Sequence, residues 1–294
     1  MTSPFRKCLL AVAIVAASFT PIVAQDVKPF ADSSRLVSIG GSLTEIIYAL
    51  GEEGRLVARD QTATYPPEAV KLPDIGYARQ LSPEGVLSVN PTAILMLEGS
   101  GPQETIDVLT KGSIEIVTVP ESYSHQGILD KVRVVGQALG VEQKTAELVA
   151  KLDSDLKAAE AITSGVAQKK RVLFVLTLQD GKVMASGTGT AADGIIALAG
   201  GVNAVTEYAG YKALTDEAIV TAQPDAILMM IREGAELVTD EALLAQPGIA
   251  MTPAAANKAI IRVDGSYLLG FGPRTASAAA EVAAALYGDA VAAR

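Results

Sequence analysis

The sequence predicts an α/β protein of two similar lobes joined by a single long helix. Three observations predict it. The chain has 294 residues, 49% hydrophobic and 19% charged, which is room for two domains and the balance of a folded globular protein. Leu81 to Met96 aligns without a gap on Leu214 to Met229, with Leu, Glu, Pro, Ala, Ile, Leu and Met at matching places. Between the copies, apolar residues at Ala146, Val149, Leu152, Leu156 and Ala159 have the spacing of one amphipathic helix.

The first 24 residues read as a secretory signal. Arg6 and Lys7 make a positive start, Cys8 to Phe19 are almost all apolar, and Ala24 precedes the polar Gln25-Asp26, so cleavage is expected after Ala24. The apolar run is too short for a hydrocarbon core of ~30 Å, and the rest of the chain has no longer one. Cys8, the one cysteine, lies early in that run rather than at the cleavage point. A freely soluble exported product without disulfide, thiolate metal site or cysteine nucleophile is expected.

Residues 25–140 then form the first lobe, 141–168 the bridging helix and 169–294 the second lobe. Each lobe opens with a strand, a Gly-rich turn and a helix: Leu36 to Leu50, and Val172 to Leu198 with a longer intervening loop. Ser82 and Thr215 are good helix N-caps, each followed by an acid in the first turn. Each short helix ends before a proline, Pro91 or Pro224, and an apolar strand follows. Gly76-Tyr77 precedes the first copy and Gly210-Tyr211 the second. Alternating strands and helices imply parallel sheets, with ligand bound beyond the strand ends in the groove between lobes.

Several function classes are disfavoured. The formal charge is −9 and no basic tract occurs, which argues against nucleic acid. A zinc or manganese receptor needs several histidines, and His125, placed in a loop from Glu121 to Gln126 and read as a stray exposed residue, is alone. No G-x-S-x-G elbow occurs, and Gly187 to Gly194 matches neither a P-loop nor a dinucleotide fingerprint, so it reads as a loop and helix start. An enzyme is not expected.

Tyrosine and arginine carry more information. Tyr77 and Arg79 lie two apart in Asp74-Ile-Gly-Tyr-Ala-Arg-Gln-Leu81, so an extended segment places them on one face. A guanidinium beside a phenol favours the phenolate, and a phenolate is a hard anionic donor suited to ferric iron, as in haem with a tyrosine ligand. A loop tyrosine packed on its own lobe is the other reading of the same residues.

The chain resembles the periplasmic haem-binding proteins of haem ABC importers, within the wider cobalamin, siderophore and haem receptor group. The resemblance rests on Ser38 to Gly51, Tyr65-Pro-Pro67, Leu72 to Gly85 and Leu269-Gly-Phe-Gly-Pro-Arg-Thr275; within it, Gly-Tyr-x-Arg is the part specific to haem carriers. It implies two Rossmann-like lobes joined by a single long helix, the class III periplasmic-binding-protein fold. It further implies that Tyr77 is the axial ligand to ferric haem (haem b) and that Arg79 holds its phenolate. Arg232 is a candidate cleft arginine or a surface one, and Tyr267 a far wall or a core aromatic. Glu84 and Glu217 match the glutamates by which this family docks on its inner-membrane permease dimer, and also suit plain helix-dipole stabilisation. The expected product is a monomeric periplasmic carrier for iron acquisition; a ferric-siderophore or cobalamin carrier of the same fold is the alternative.

Overall fold

The computed structural model describes residues 27–112, 114–179, 181–231 and 238–288. The signal segment with Arg6, Lys7, Cys8 and Ala24, and the candidate Arg232, lie outside the described residues. Among the described residues no helix is long and apolar enough to cross a membrane.

The first lobe is built on β1 (Leu36–Ile39), which carries α1 (Gly41–Ala49) directly after it. β2 (Leu56–Arg59), α2 (Pro83–Leu87), β3 (Ala93–Leu97), α3 (Gln103–Lys111) and β4 (Glu115–Val119) follow, then α4 (His125–Leu139). The strands form one parallel sheet in the order β2-β1-β3-β4. α5 (Glu142–Ile162) is the long helix of the middle, packed on α4 and on the last helix of the described residues. It ends well before residue 168, where Thr163-Ser164-Gly165 supplies poor helix formers and Ser164 N–H turns back to the Ala161 carbonyl at 3.2 Å.

The second lobe runs β5 (Arg171–Gln179), β6 (Lys182–Ser186), α6 (Ala191–Leu198), β7 (Val202–Asn203), β8 (Tyr211–Ala213), α7 (Asp216–Ala222) and β9 (Ala226–Ile231). Short helices α8 (Asp240–Leu244), α9 (Pro247–Ala250) and α10 (Pro253–Ala256) precede β10 (Ile260–Asp264), α11 (Gly265–Leu269) and α12 (Thr275–Tyr287). Its sheet order is β10-β9-β5-β6-β8, with β7 on the start of β5. This sheet is mixed rather than purely parallel, because the expected loop after β5 contains β6, which returns antiparallel to it. The Asp180-Gly181 pair is the sequence signal for that reversal, and Gly181 takes φ +72.

Strand alternation sorts the core into three parts. Leu36, Ala93 and Leu95 of the first sheet and Val172, Phe174, Ala226 and Leu228 of the second share one continuous apolar cluster with α4, α5, α6 and α12. The opposite faces bury Val37, Ile39, Ile94 and Met96 in the first lobe, and Leu173, Val175, Ile227 and Met229 in the second, in private clusters. Period two along each strand therefore gives each lobe its own core on one side and a common core on the other. Lobes that share a core resist large relative movement, since separating them exposes apolar surface at roughly 25 cal/mol per Å².

Candidate functional site

The Tyr77 loop is built outward from the end of β2. Arg59 Nη1 reaches Asp74 Oδ2 at 3.3 Å, and Asp74 Oδ1 accepts the Gly76 N–H at 2.8 Å. Gly76 needs its missing side chain, with φ at +103. Buried Ile75 and Leu81 pin the two ends of the loop into the private core of the first lobe. Between them Gln80 N–H donates to the Tyr77 carbonyl at 2.8 Å, so Tyr77 to Gln80 is a hydrogen-bonded turn and not the extended segment expected. The turn itself brings residues 77 and 79 together: Arg79 Nη1 donates to the Tyr77 hydroxyl at 2.8 Å. Gly101 clamps the turn from the loop after β3, donating to the Ala78 carbonyl and accepting from Leu81 N–H, both at 2.9 Å. Tyr77 is half-buried and Arg79 is exposed.

Arg79 also acts beyond its own turn. Burial holds the phenols of Tyr123, which follows β4, and Tyr211, which opens β8 of the second lobe, above their ordinary range, and the Arg79 guanidinium pulls both back. Tyr123 packs edge-on against Phe271 of the second lobe, ring centroids 5.2 Å apart. Gly194 in α6 accommodates this approach, since a Cβ there lies 2.4 Å from the Tyr123 carbonyl oxygen. Tyr123 of the first lobe and Phe271 of the second thus meet across the seam.

The seam beneath is charged and buried. Lys131 Nζ donates to Glu121 Oε1 at 2.6 Å, to the Phe271 carbonyl at 3.0 Å and to Ser42 Oγ at 3.2 Å. Burial lowers the Lys131 ammonium from its ordinary value, and Glu121 opposes that. Arg274, just before α12, pairs with Glu45 of α1 and lies 3.9 Å from the Tyr65 ring centroid and 5.2 Å from that of Tyr267. Burial raises the phenol of Tyr267, in α11, with Glu281 of α12 adding to the rise and Ser277 and Arg274 opposing it. Its contacts therefore place it at the seam.

Glu84 and Glu217 occupy equivalent positions, each the second residue of its helix and exposed. Ser82 and Thr215 cap those helices through Gly85 N–H and Ala218 N–H. The Glu217 carboxyl is lowered by its own backbone N–H and by the Thr215 hydroxyl. His125 departs from expectation. It is the first residue of α4, and its two ring nitrogens meet Asp153 Oδ1 at 3.0 Å and Glu160 Oε1 at 3.1 Å on α5. It joins two helices instead of standing free in a loop. Gly187 to Gly194 leads into α6 through Thr190, which caps Asp193 N–H at 3.0 Å, as a loop and helix start should. Among the described residues no group of three or more histidine, cysteine, aspartate or glutamate side chains is arranged so that it could hold a metal ion.

Sequence reasoning treated Tyr65 and Arg274 only as parts of motifs and passed over Lys131, Tyr123 and the role of Tyr211. Lys131 did leave a signal, a lysine inside the apolar stripe Ile128, Val132, Val135 of α4.

A family model described as periplasmic binding protein matches residues 36–267. The chain is 37% identical to the apo form of the periplasmic heme-binding protein RhuT from Roseiflexus sp. RS-1, with a TM-score of 0.83 over 88% of this chain and 100% of that one. It is also 37% identical to the periplasmic heme-binding protein BhuT, solved in complex with two hemes, with a TM-score of 0.82 over 87% of this chain and 98% of that one. An uncharacterized ABC transporter substrate-binding lipoprotein of Bacillus subtilis (strain 168), YvrC, is 28% identical over 268 residues, 90% of this chain and 83% of that protein.

Proposed function

We propose that this chain, which belongs to the periplasmic binding protein family, carries ferric haem between its lobes and delivers it from the periplasm to a permease dimer of an ABC importer. The observation that carries the reading is the 2.8 Å hydrogen bond from Arg79 to the Tyr77 hydroxyl. A donor fixed on that oxygen orients it and remains a partner for the phenolate that ferric haem takes as an axial ligand. Solved relatives at 37% identity that are described as heme-binding support the same cargo.

In this reading Tyr77 ligates the iron and Arg79 holds the phenolate. Arg232, which follows β9 in the sequence, faces the same ligand, and Tyr267 braces the groove by packing on Arg274. Glu84 and Glu217 present carboxylates to the permease from the tips of the two lobes. The continuous core beneath both sheets favours a small opening, so release is driven by the permease pulling on those two tips. The mature chain begins after Ala24 and acts as a monomer.

The test is a hemin titration of the purified mature protein followed by visible absorbance. The unaltered protein should develop the charge-transfer bands of ferric iron bound by a phenolate, and Tyr77→Ala should lose them together with most of the affinity. Identical spectra and affinity for the two proteins exclude Tyr77 as the ligand. Tight binding of cobalamin or a ferric siderophore with no uptake of hemin overturns the cargo.

A further inference from the structure

The duplicated plan places a second Gly-Tyr pair, Gly210-Tyr211, before the second-lobe copy, as Gly76-Tyr77 stands before the first. Both glycines take left-handed φ, +103 and +81, so the chain turns the same way into each tyrosine. The two side chains are held differently. The Tyr77 hydroxyl is met by an exposed guanidinium. Tyr211 pairs across the strands with Ser186, which is buried and hydrogen-bonds the buried Thr190 at 2.5 Å. Burial raises the Tyr211 phenol above its ordinary range, and a neutral phenol is a poor donor to ferric iron.

What Tyr211 presents is its ring. The residue is 38% exposed. Phe174, fully buried, supports the ring edge-on at a centroid distance of 6.3 Å and an interplanar angle of 65°. Phe174 belongs to the apolar cluster that both lobes share, so the ring it supports lies on the side of the second sheet that faces the first lobe. A rigid aromatic surface backed by a second ring suits a flat, conjugated ligand.

Resting on the haem reading, we infer that Tyr211 is the second-lobe platform on which the porphyrin plane stacks, opposite the iron ligand Tyr77. One ancestral Gly-Tyr element is thereby used twice, once for its oxygen and once for its ring. A flat platform also favours planar tetrapyrroles over corrinoids, whose axial substituents project from the ring plane.

The experiment compares hemin with metal-free protoporphyrin IX, which has the same plane and no iron. Both are titrated into the unaltered protein, Tyr211→Ala, Tyr211→Phe and Tyr77→Phe, with thermal melts to verify folding. Tyr211→Ala should weaken both tetrapyrroles about tenfold, and Tyr211→Phe, which keeps the ring, should recover most of that loss. Tyr77→Phe should weaken hemin far more than protoporphyrin. Wild-type affinity for both ligands in Tyr211→Ala, or a phenylalanine variant as weak as the alanine one, overturns the platform while leaving the haem reading intact. Failure of the unaltered protein to take either tetrapyrrole overturns both. Should Tyr211→Ala fail to fold, Tyr211→Leu replaces it, and the same two outcomes decide.

Discussion

Arg274 of the second lobe grips Glu45 of the first with two hydrogen bonds, Nε to Oε2 at 2.9 Å and Nη2 to Oε1 at 2.5 Å. Glu45 is only 7% exposed, and burial pushes its carboxyl above the ordinary range while Arg274 pulls it back. Removing the arginine leaves an uncompensated buried carboxylate. Arg274→Met should therefore cost about 3 kcal/mol, which lowers the melting temperature by about 9 °C in a chain of this size. Adding Glu45→Gln should return part of the loss, since no buried charge is then left. A single variant that melts like the unaltered protein means the pair does not hold the seam.

Lys131 makes the second tie across the seam. Its ammonium serves three acceptors, and the Phe271 carbonyl among them belongs to the other lobe. Lys131→Ala strands Glu121 and the Phe271 carbonyl together, at a cost of about 3 kcal/mol. Amide hydrogen exchange should then rise in the segment joining α11 to α12, with the private cores of the two lobes still protected. Faster exchange spread evenly over the molecule would point instead to general destabilisation.

The elements legible in the sequence are those with local causes. Ser82 and Thr215 cap helices that stop before Pro91 and Pro224, and those rules act within a few residues, so both helix-strand copies stand where the pattern put them. Tyr77 and Arg79 are two apart, and their pairing was legible although the turn that makes it was not. The seam was hidden because its partners are remote: Glu45 and Arg274 are 229 positions apart. His125 was misjudged for the same reason, since its carboxylate partners lie on the next helix and only the packing of α4 on α5 brings them near. The antiparallel return of β6 has a local signal in Asp180-Gly181, a turn pair that the plan common to the two lobes does not call for.

Glu84 and Glu217 test the docking proposal apart from cargo. Both are exposed and lie on short capped helices, so reversing them to lysine disturbs no buried group. The Glu84→Lys, Glu217→Lys double variant should bind hemin as the unaltered protein does and fail to support haem-dependent growth of cells carrying the importer. Normal growth removes the two glutamates from the docking assignment. Each single variant should fall between, because the lobes offer one carboxylate apiece.

Glu52 supplies a prediction in pH. It sits between Lys144 of α5, at 2.6 Å, and Arg55, at 2.7 Å, and so ties the first lobe to the start of the long helix. Burial works to raise its carboxyl, but the hydrogen bonds from Lys144 and Arg55 win and hold it below the ordinary value of 4.5. A carboxyl lowered in the folded state stabilises the fold above its unfolded value, and that stabilisation is lost as pH falls through the lowered one. Lys144 is 53% exposed, so solvent screening limits the effect to about 0.5–1 kcal/mol. Glu52→Gln should thus melt about 2–3 °C lower at pH 7, and the gap should close as the pH is taken below 4.5. A gap that persists unchanged at pH 3 would assign the loss to packing, because a neutral carboxylic acid and an amide then differ little in charge.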